Sequence, residues 1–367
     1  MGTRSRPLQR SPALLAAGIL MAAVAVKLAF IVYLDGRVYQ DVYRAIDFGM
    51  LIDNGTLTIH TGIINSKTFV GPLLWSRLYG CCGLNGLLAF NLCMFVALFA
   101  VQYGLGRKRY DTGTTLVALI LFAFYVGTNR NVAAGEPDDN LAALLFAGGV
   151  LVYLETRRVL LAGLCMGVAF LFKFWVPIFC IGFVAHLALQ RAWRDLAAAL
   201  AGMGLPFLVL NGIDGLASLR ALLFSLNVQH GYSDWNGLGF KLLSTGLLFM
   251  VLGSVWVWRR QRTDTNTLFL LVSSTYFLYA LANRDAFSAS YVMMLCMVFA
   301  SFLLAELVVH GGYLLGRAAR AGEVALVLVL YVALTTAISY LNFYRDTLPI
   351  VLLDDRAAAQ QMFPWNF

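Results

Sequence analysis

Eleven apolar runs divide the chain, near 12–34, 84–104, 113–128, 140–154, 159–172, 174–189, 196–212, 237–258, 267–282, 289–309 and 323–341, each bounded by charged or turn-forming residues. A helix needs about 20 apolar residues to cross a bilayer, and fewer where neighbours shelter it. In lipid every backbone polar group must find its partner inside the protein, which leaves helices or a closed barrel. Runs of this length select helices. The expected fold is an all-α polytopic transmembrane bundle of about eleven spans, nine to thirteen once the short runs between 140 and 189 are allowed for. The 159–189 pair reads as two spans, one long helix or a re-entrant hairpin. Composition agrees: 60% of the 367 residues are hydrophobic and 13% charged, against about 45–50% and about 25% in a soluble domain.

The formal charge of +8 would suit nucleic acid if it were gathered on one surface. The basic residues are instead scattered in pairs and triplets between apolar runs, which points to the membrane surface and away from nucleic acid. The six cysteines lie in or beside apolar segments without metal-type or disulfide-type spacing and read as small hydrophobes. Arg4, Arg6 and Arg10 precede the 12–34 run, which is long for a signal-peptide core and reads as a first transmembrane helix.

Short inner loops of membrane proteins are enriched in Lys and Arg. With the N-terminus inside, the inner segments carry Arg4, Arg6 and Arg10; Arg107, Lys108 and Arg109; Arg157 and Arg158; Arg191 and Arg194; Arg259, Arg260 and Arg262; and Arg317 and Arg320. The outer segments hold Asp35, Asp41, Asp47, Asp53, Glu136, Asp138, Asp139, Asp214, Asp234, Asp285, Asp346, Asp354 and Asp355, thirteen of the nineteen acids. This sorting implies an inner (plasma) membrane protein with a cytoplasmic N-terminus and acid-dependent chemistry on the extracytoplasmic face.

Three outer loops follow, over 35–82, 129–140 and 213–236, in a chain that reads as one domain, 1–367. In the first, Val42, Ile46, Met50 and Leu51 recur at helical spacing while Arg44 and Asp47 fall elsewhere, as in a short helix lying in the membrane interface. The third contains His230, Tyr232, Asp234 and Trp235, residue types suited to a sugar or a headgroup.

Asp41 stands a few residues past the first span and is placed to act as a general base on an acceptor hydroxyl. Asp35, Asp47 and Asp53 compete for that role, and each also reads as an ordinary solvated aspartate. The run from Gly135 through Glu136, Pro137, Asp138 and Asp139 to Asn140 starts a span, where Pro and acids are favourable in any case. Three carboxylates in four residues also suit a divalent cation or the orientation of a base. Lys173 interrupts an apolar stretch, a position that is functional by default, with snorkelling to the interface as the rival account. Arg284 precedes Asp285 near the tenth run, and its planar fork suits either a phosphate or that neighbouring acid.

Asp41-Val42-Tyr43-Arg44-Ala45 followed by Asn54-Gly55 resembles the first-loop pattern of the GT-C glycosyltransferases, an Asp after the first span preceding a Tyr, a small residue and a Gly. The stretch from Gly71-Pro72-Leu73-Leu74 through Leu78-Tyr79-Gly80 to Gly104-Leu105-Gly106-Arg107-Lys108 is similar to that family's passage into its second span. Glu136-Pro137-Asp138 resembles its acidic second outer loop, Gly163 to Phe170 with Lys173 its glycine-rich helix ending in a basic residue, and Arg284 with Tyr291 its late Arg and Tyr before a span. In the family the lysine is often followed by proline, whereas here Phe174 and Trp175 intervene before Pro177.

The resemblance implies a polyprenyl-phosphate sugar donor, entering from membrane lipid with its phosphate near Lys173 and Arg284. A glycan or lipid acceptor is expected, since no large soluble domain follows the last run. Direct displacement is implied, with Asp41 as base supported by Glu136 and Asp138, and with Tyr43, Asp47, His230, Tyr232 and Tyr291 contacting substrate. No nucleotide is involved, and the only cofactor to consider is a divalent cation. The rival class is a lipid-linked glycan flippase or another transporter, which often shows paired repeats and charges near mid-bilayer. Here no repeat is visible, and the acids lie at the outer interface.

Overall fold

A computed structural model describes residues 11–56, 68–135, 137–228, 263–283, 293–310 and 320–347. Among them the regular structure is entirely helical: α1 (Pro12–Leu34), α2 (Gln40–Asp53), α3 (Val70–Gly106), α4 (Thr112–Ala123), α5 (Val126–Ala133), α6 (Pro137–Thr156), α7 (Val159–Phe172), α8 (Val176–Leu189), α9 (Trp193–Ile213), α10 (Ala217–Val228), α11 (Asp264–Asn283), α12 (Met293–His310) and α13 (Ala321–Asp346). Five of these are long and apolar enough to cross a membrane, namely α1, α3, α6, α9 and Ala321–Leu341 of α13, and a sixth if α4 and α5 form one span bent by 53°. The described residues therefore give five or six spans by length and composition, where the sequence led us to expect about eleven; the 237–258 run lies outside them.

Local chemistry sets the helix ends. Ser11 caps α1 by accepting from the Leu14 amide, Pro12 starts it, and Asp35 ends it in the left-handed region at φ 47°. Asp111 caps α4 through Oδ1 from the Thr114 amide, at 3.0 Å, and Oδ2 from the Thr114 hydroxyl, at 2.6 Å.

Two segments differ from the sequence reading. The 35–82 stretch is largely helical in its described parts, because α3 begins at Val70 and bends at Gly83, where φ is 62° and only glycine sits without strain. The early part of α3 lies against α2, the helix expected in the first outer loop, and covers much of its surface. Val42, Tyr43, Ile46, Asp47, Phe48 and Leu51 are all buried, and Met50 is its exposed apolar residue. Gly49 of α2 has no room for a Cβ against the Pro72 carbonyl. In the second difference, most of the expected 129–140 loop is helix, with Asn129, Asn131 and Val132 buried in α5.

The 159–189 region resolves into two helices broken at Lys173–Trp175, with Lys173 extended at φ −145° and ψ 122° and Pro177 in the first turn of α8. Each has 14 residues, about 21 Å at 1.5 Å per residue, short of a bilayer core of about 30 Å. α7 packs on α6 and α9, and α8 on α11. The α7–α9 backbones approach closely because Gly163 and Gly202 face them: a Cβ on either would lie 2.5 Å from a carbonyl oxygen, of Ala199 or of Leu160.

The polar residues gather at two ends of this bundle. At one end the turn after α3 is locked: Arg109 reaches Glu155 at 2.9 Å, Lys108 pairs with the same carboxylate, and Tyr110 bonds to Asn266. At the other end the C-terminus of α1, the starts of α2, α3 and α6 and the end of α7 come together.

Candidate functional site

Tyr39, just before α2, donates its amide to the Ala134 carbonyl at 3.0 Å, and its ring lies 4.0 Å beneath the Arg130 guanidinium. The start of α2 is thereby tied to the end of α5, one turn before α6. Asp41 stands in the first turn of α2, where a carboxylate favours the helix N-terminus. Its side chain is 39% exposed and lies 3.6 Å from Arg44.

The four first-loop acids separate by environment. Asp35 is exposed in its turn, and Asp53 is held at the surface by Arg77 at 2.9 Å, with Ser76 at 3.4 Å. Asp47 is fully buried. Asp41 is left as the acid that combines partial exposure with a place beside the α5–α6 turn. Tyr43 is buried in the packing of α2.

The start of α6 carries the second group. Asp138 is fully buried and accepts from the Trp75 indole N–H at 2.5 Å, while Gly71 leaves the space its carboxylate fills. Asp139 lies 3.2 Å from the Lys173 ammonium, with 5% and 7% of the two side chains exposed. The Thr68 hydroxyl donates to the Leu171 carbonyl at 2.5 Å, joining the approach to α3 to the end of α7. Beneath them, Asn140 bonds to Asn91 at 2.8 Å and to the Asn131 carbonyl at 3.1 Å, and Asn91 donates to the Gly135 carbonyl at 3.0 Å. The interior of α3, the end of α5 and the start of α6 are thus cross-braced by buried amides, which fixes a polar cluster more tightly than loops would.

Of the residues the sequence singled out, Asp41, Tyr43, Asp47, Asp138 and Lys173 fall on this end; Glu136, His230, Tyr232, Arg284 and Tyr291 lie outside the described residues. Sequence reasoning did not pair Lys173 with Asp139. Consecutive antiparallel helices put the start of α6 beside the end of α7, so the pairing follows from a short α6–α7 connection. It also passed over Lys27, fully buried in α1. The signal was a lone charge inside an apolar run, the same rule that singled out Lys173.

A divalent cation at the acidic run would compete with groups already in place, since Asp138 accepts from an indole and Asp139 neighbours an ammonium. Among the described residues, the three side chains whose possible ligand atoms all lie within 4.8 Å of one another are Asp111, Glu306 and His310, at the opposite end.

No family model matches the sequence, and no curated protein matches it. Solved structures do. The crystal structure of ArnT from Cupriavidus metallidurans bound to undecaprenyl phosphate superposes with a TM-score of 0.64 at 13% identity, covering 89% of this chain and 76% of that one. The Archaeoglobus fulgidus oligosaccharyltransferase, tethered to an acceptor peptide, gives a TM-score of 0.55 at 14% identity, covering 88% of this chain and 55% of its own. The chain thus shares an all-helical membrane fold with these two structures.

Proposed function

We propose that this protein is a membrane glycosyltransferase that moves a sugar from a polyprenyl-phosphate donor to a hydroxyl of a glycan or lipid acceptor on the extracytoplasmic face of the plasma membrane. Asp41 takes the proton of the acceptor hydroxyl as its oxygen attacks the anomeric carbon. The bond from that carbon to the phosphate oxygen breaks, and the electron pair leaves with polyprenyl phosphate. Lys173 lies where a cation steadies the charge that develops on the departing phosphate, with Asp139 holding its ammonium in place between turnovers. Arg284 is the second proposed phosphate ligand. Glu136 and Asp138 support the base, and His230, Tyr232 and Tyr291 contact substrate.

The observation that carries this reading is the meeting of the α2 start, with Asp41, and the α6 start, with Asp139 and Lys173, at one end of a bundle that shares its fold with ArnT. That neighbour was crystallised with undecaprenyl phosphate and the second with an acceptor peptide, which supports a lipid-phosphate donor and an external acceptor. The basic residues at the opposite end favour the orientation with this end outside.

Donor binding tests the role of Lys173. Lys173→Ala removes a cation from a partly desolvated phosphate, and losing such a charge-assisted contact costs roughly 1.5–3 kcal/mol. The dissociation constant for a polyprenyl-phosphate sugar rises about tenfold or more. An unchanged constant in a folded variant removes Lys173 from the phosphate site.

A further inference from the structure

Lys27 is fully enclosed within α1. An ammonium group carries three N–H donors. Here Nζ donates to the Ala123 carbonyl at 2.6 Å and to Asn129 Oδ1 at 3.0 Å, and it sits 4.1 Å from the centroid of the Phe95 ring. Ala123 is the last residue of α4, where the chain turns by 53° into α5. A helix C-terminus presents carbonyls with no intrahelical donor and a partial negative charge, and within a bilayer both must be met by the protein itself. Side chains from three helices meet them. Lys27 of α1 takes Ala123, the Tyr331 hydroxyl of α13 donates to Leu121 at 2.7 Å, and the Asn129 amide of α5 donates to Phe124 at 3.4 Å and to the Ser339 hydroxyl at 3.2 Å.

Both halves of the proposed site hang on α5. Its C-terminal neighbour Ala134 receives the Tyr39 amide ahead of Asp41, and the Asn131 carbonyl receives the amide of Asn140, the residue after Asp139. The starts of α2 and α6 are also held by α3, so a change in the α4–α5 angle moves the end of α5 against them.

We propose that Lys27 is a positioning residue: seated on the last carbonyl of α4 and on Asn129, its ammonium sets the α4–α5 bend and so the seating of the α5 end against the start of the Asp41 helix. The proposal deepens the glycosyltransferase reading and rests on it for its catalytic consequence. Its structural part stands apart from any donor.

The test uses the full chain in membranes with its native cysteines replaced, carrying Tyr39→Cys and Ala134→Cys, whose backbones are hydrogen-bonded at 3.0 Å. Disulfide formation between them reads the seating of the α5 end against the start of α2 directly. Adding Lys27→Met, which keeps the stem and removes the donors, lowers the cross-link yield at least about fivefold, whereas Lys27→Arg retains most of it. Without the cysteine pair, Lys27→Met lowers kcat about 10- to 100-fold, because a misplacement near 1 Å costs up to about 100-fold, while donor KM changes little and Tm falls modestly because the Ala123 carbonyl loses its donor. Should Lys27→Met fail to accumulate, Asn129→Leu removes the same anchor from the other side and is read by the same cross-link. An unchanged cross-link in either variant overturns the proposal. So does a parallel loss of Tm, donor KM and kcat, which marks Lys27 as a structural residue alone. If the wild-type protein transfers sugar from no donor, the reaction reading fails, and the cross-link still decides the positioning claim.

Discussion

The Trp75–Asp138 hydrogen bond links α3 to the acidic start of α6, and it shows how residue-scale chemistry holds the site. Asp138 is fully buried, so its carboxylate depends on protein donors in place of water. Trp75→Phe keeps most of the apolar volume and removes the indole N–H. Leaving a buried acceptor short of a donor costs about 1–3 kcal/mol, so the purified variant melts at a lower temperature while the helix content of the folded protein stays the same. An unchanged Tm would mean that Asp138 draws its support elsewhere. At this scale the sequence was informative about charge and silent about partners. Lys173 stood out because it interrupts an apolar run, but its 3.2 Å neighbour Asp139 belongs to another helix. Lys27 obeyed the same rule, yet its main acceptor is a backbone carbonyl freed by a helix break, which no side-chain pattern records.

Helix breaks are also where the element scale departed from sequence expectation. Hydropathy reads the 113–128 run as one span because the 53° bend between α4 and α5 occurs inside apolar residues. The helix over Val70–Gly83 was hidden for the converse reason: it carries Gly71, Pro72, Gly80 and Gly83, and its place is set by packing on α2 rather than by periodicity. The caps were more local. Asp111 precedes Thr112 and Thr114 as an N-cap should. Burial works against its charge, but the Thr114 hydroxyl and amide, together with His310, outweigh that and hold its carboxyl below the ordinary value of 3.8. A group depressed in the folded state stabilises above its unfolded value and loses that contribution as pH falls through the folded value. Asp111→Ala therefore lowers Tm at neutral pH, by the equivalent of about 0.5–2 kcal/mol for a lost cap, and the difference from wild type shrinks below about pH 4. A difference that persists undiminished in acid would show that charge is not what Asp111 contributes.

For the whole molecule, composition and run length were sufficient to give an all-helical membrane bundle, because lipid leaves the backbone few other ways to satisfy itself. They were insufficient for the number of spans. α7 and α8 are too short to cross alone and survive by packing on α6, α9 and α11, and such sheltering is a property of the assembled bundle. The grouping of the ends was legible in part. The Arg and Lys clusters near 107–109 and 157–158 marked one side and the acids after α1 and before α6 the other, but the bracing through Tyr39, Asn91 and Asn140 required the fold. The proposed orientation predicts that, in a background without native thiols, Asp35→Cys is labelled by a membrane-impermeant reagent from outside intact cells, and Arg158→Cys only after the membrane is opened. The reverse pattern would put the acidic end in the cytoplasm, where the proposed extracytoplasmic transfer has no place.

The central claim is tested most directly by incubating purified protein with a panel of polyprenyl-phosphate sugars and acceptor glycans or lipids, and measuring released polyprenyl phosphate for wild type and Asp41→Asn side by side. The account predicts release by the wild type from at least one donor, and a loss of about 100- to 10,000-fold in Asp41→Asn, the range expected when a general base is removed, with donor binding intact. Release that proceeds at the wild-type rate in Asp41→Asn, or a folded wild type that binds the donors and releases polyprenyl phosphate from none of them, would contradict it.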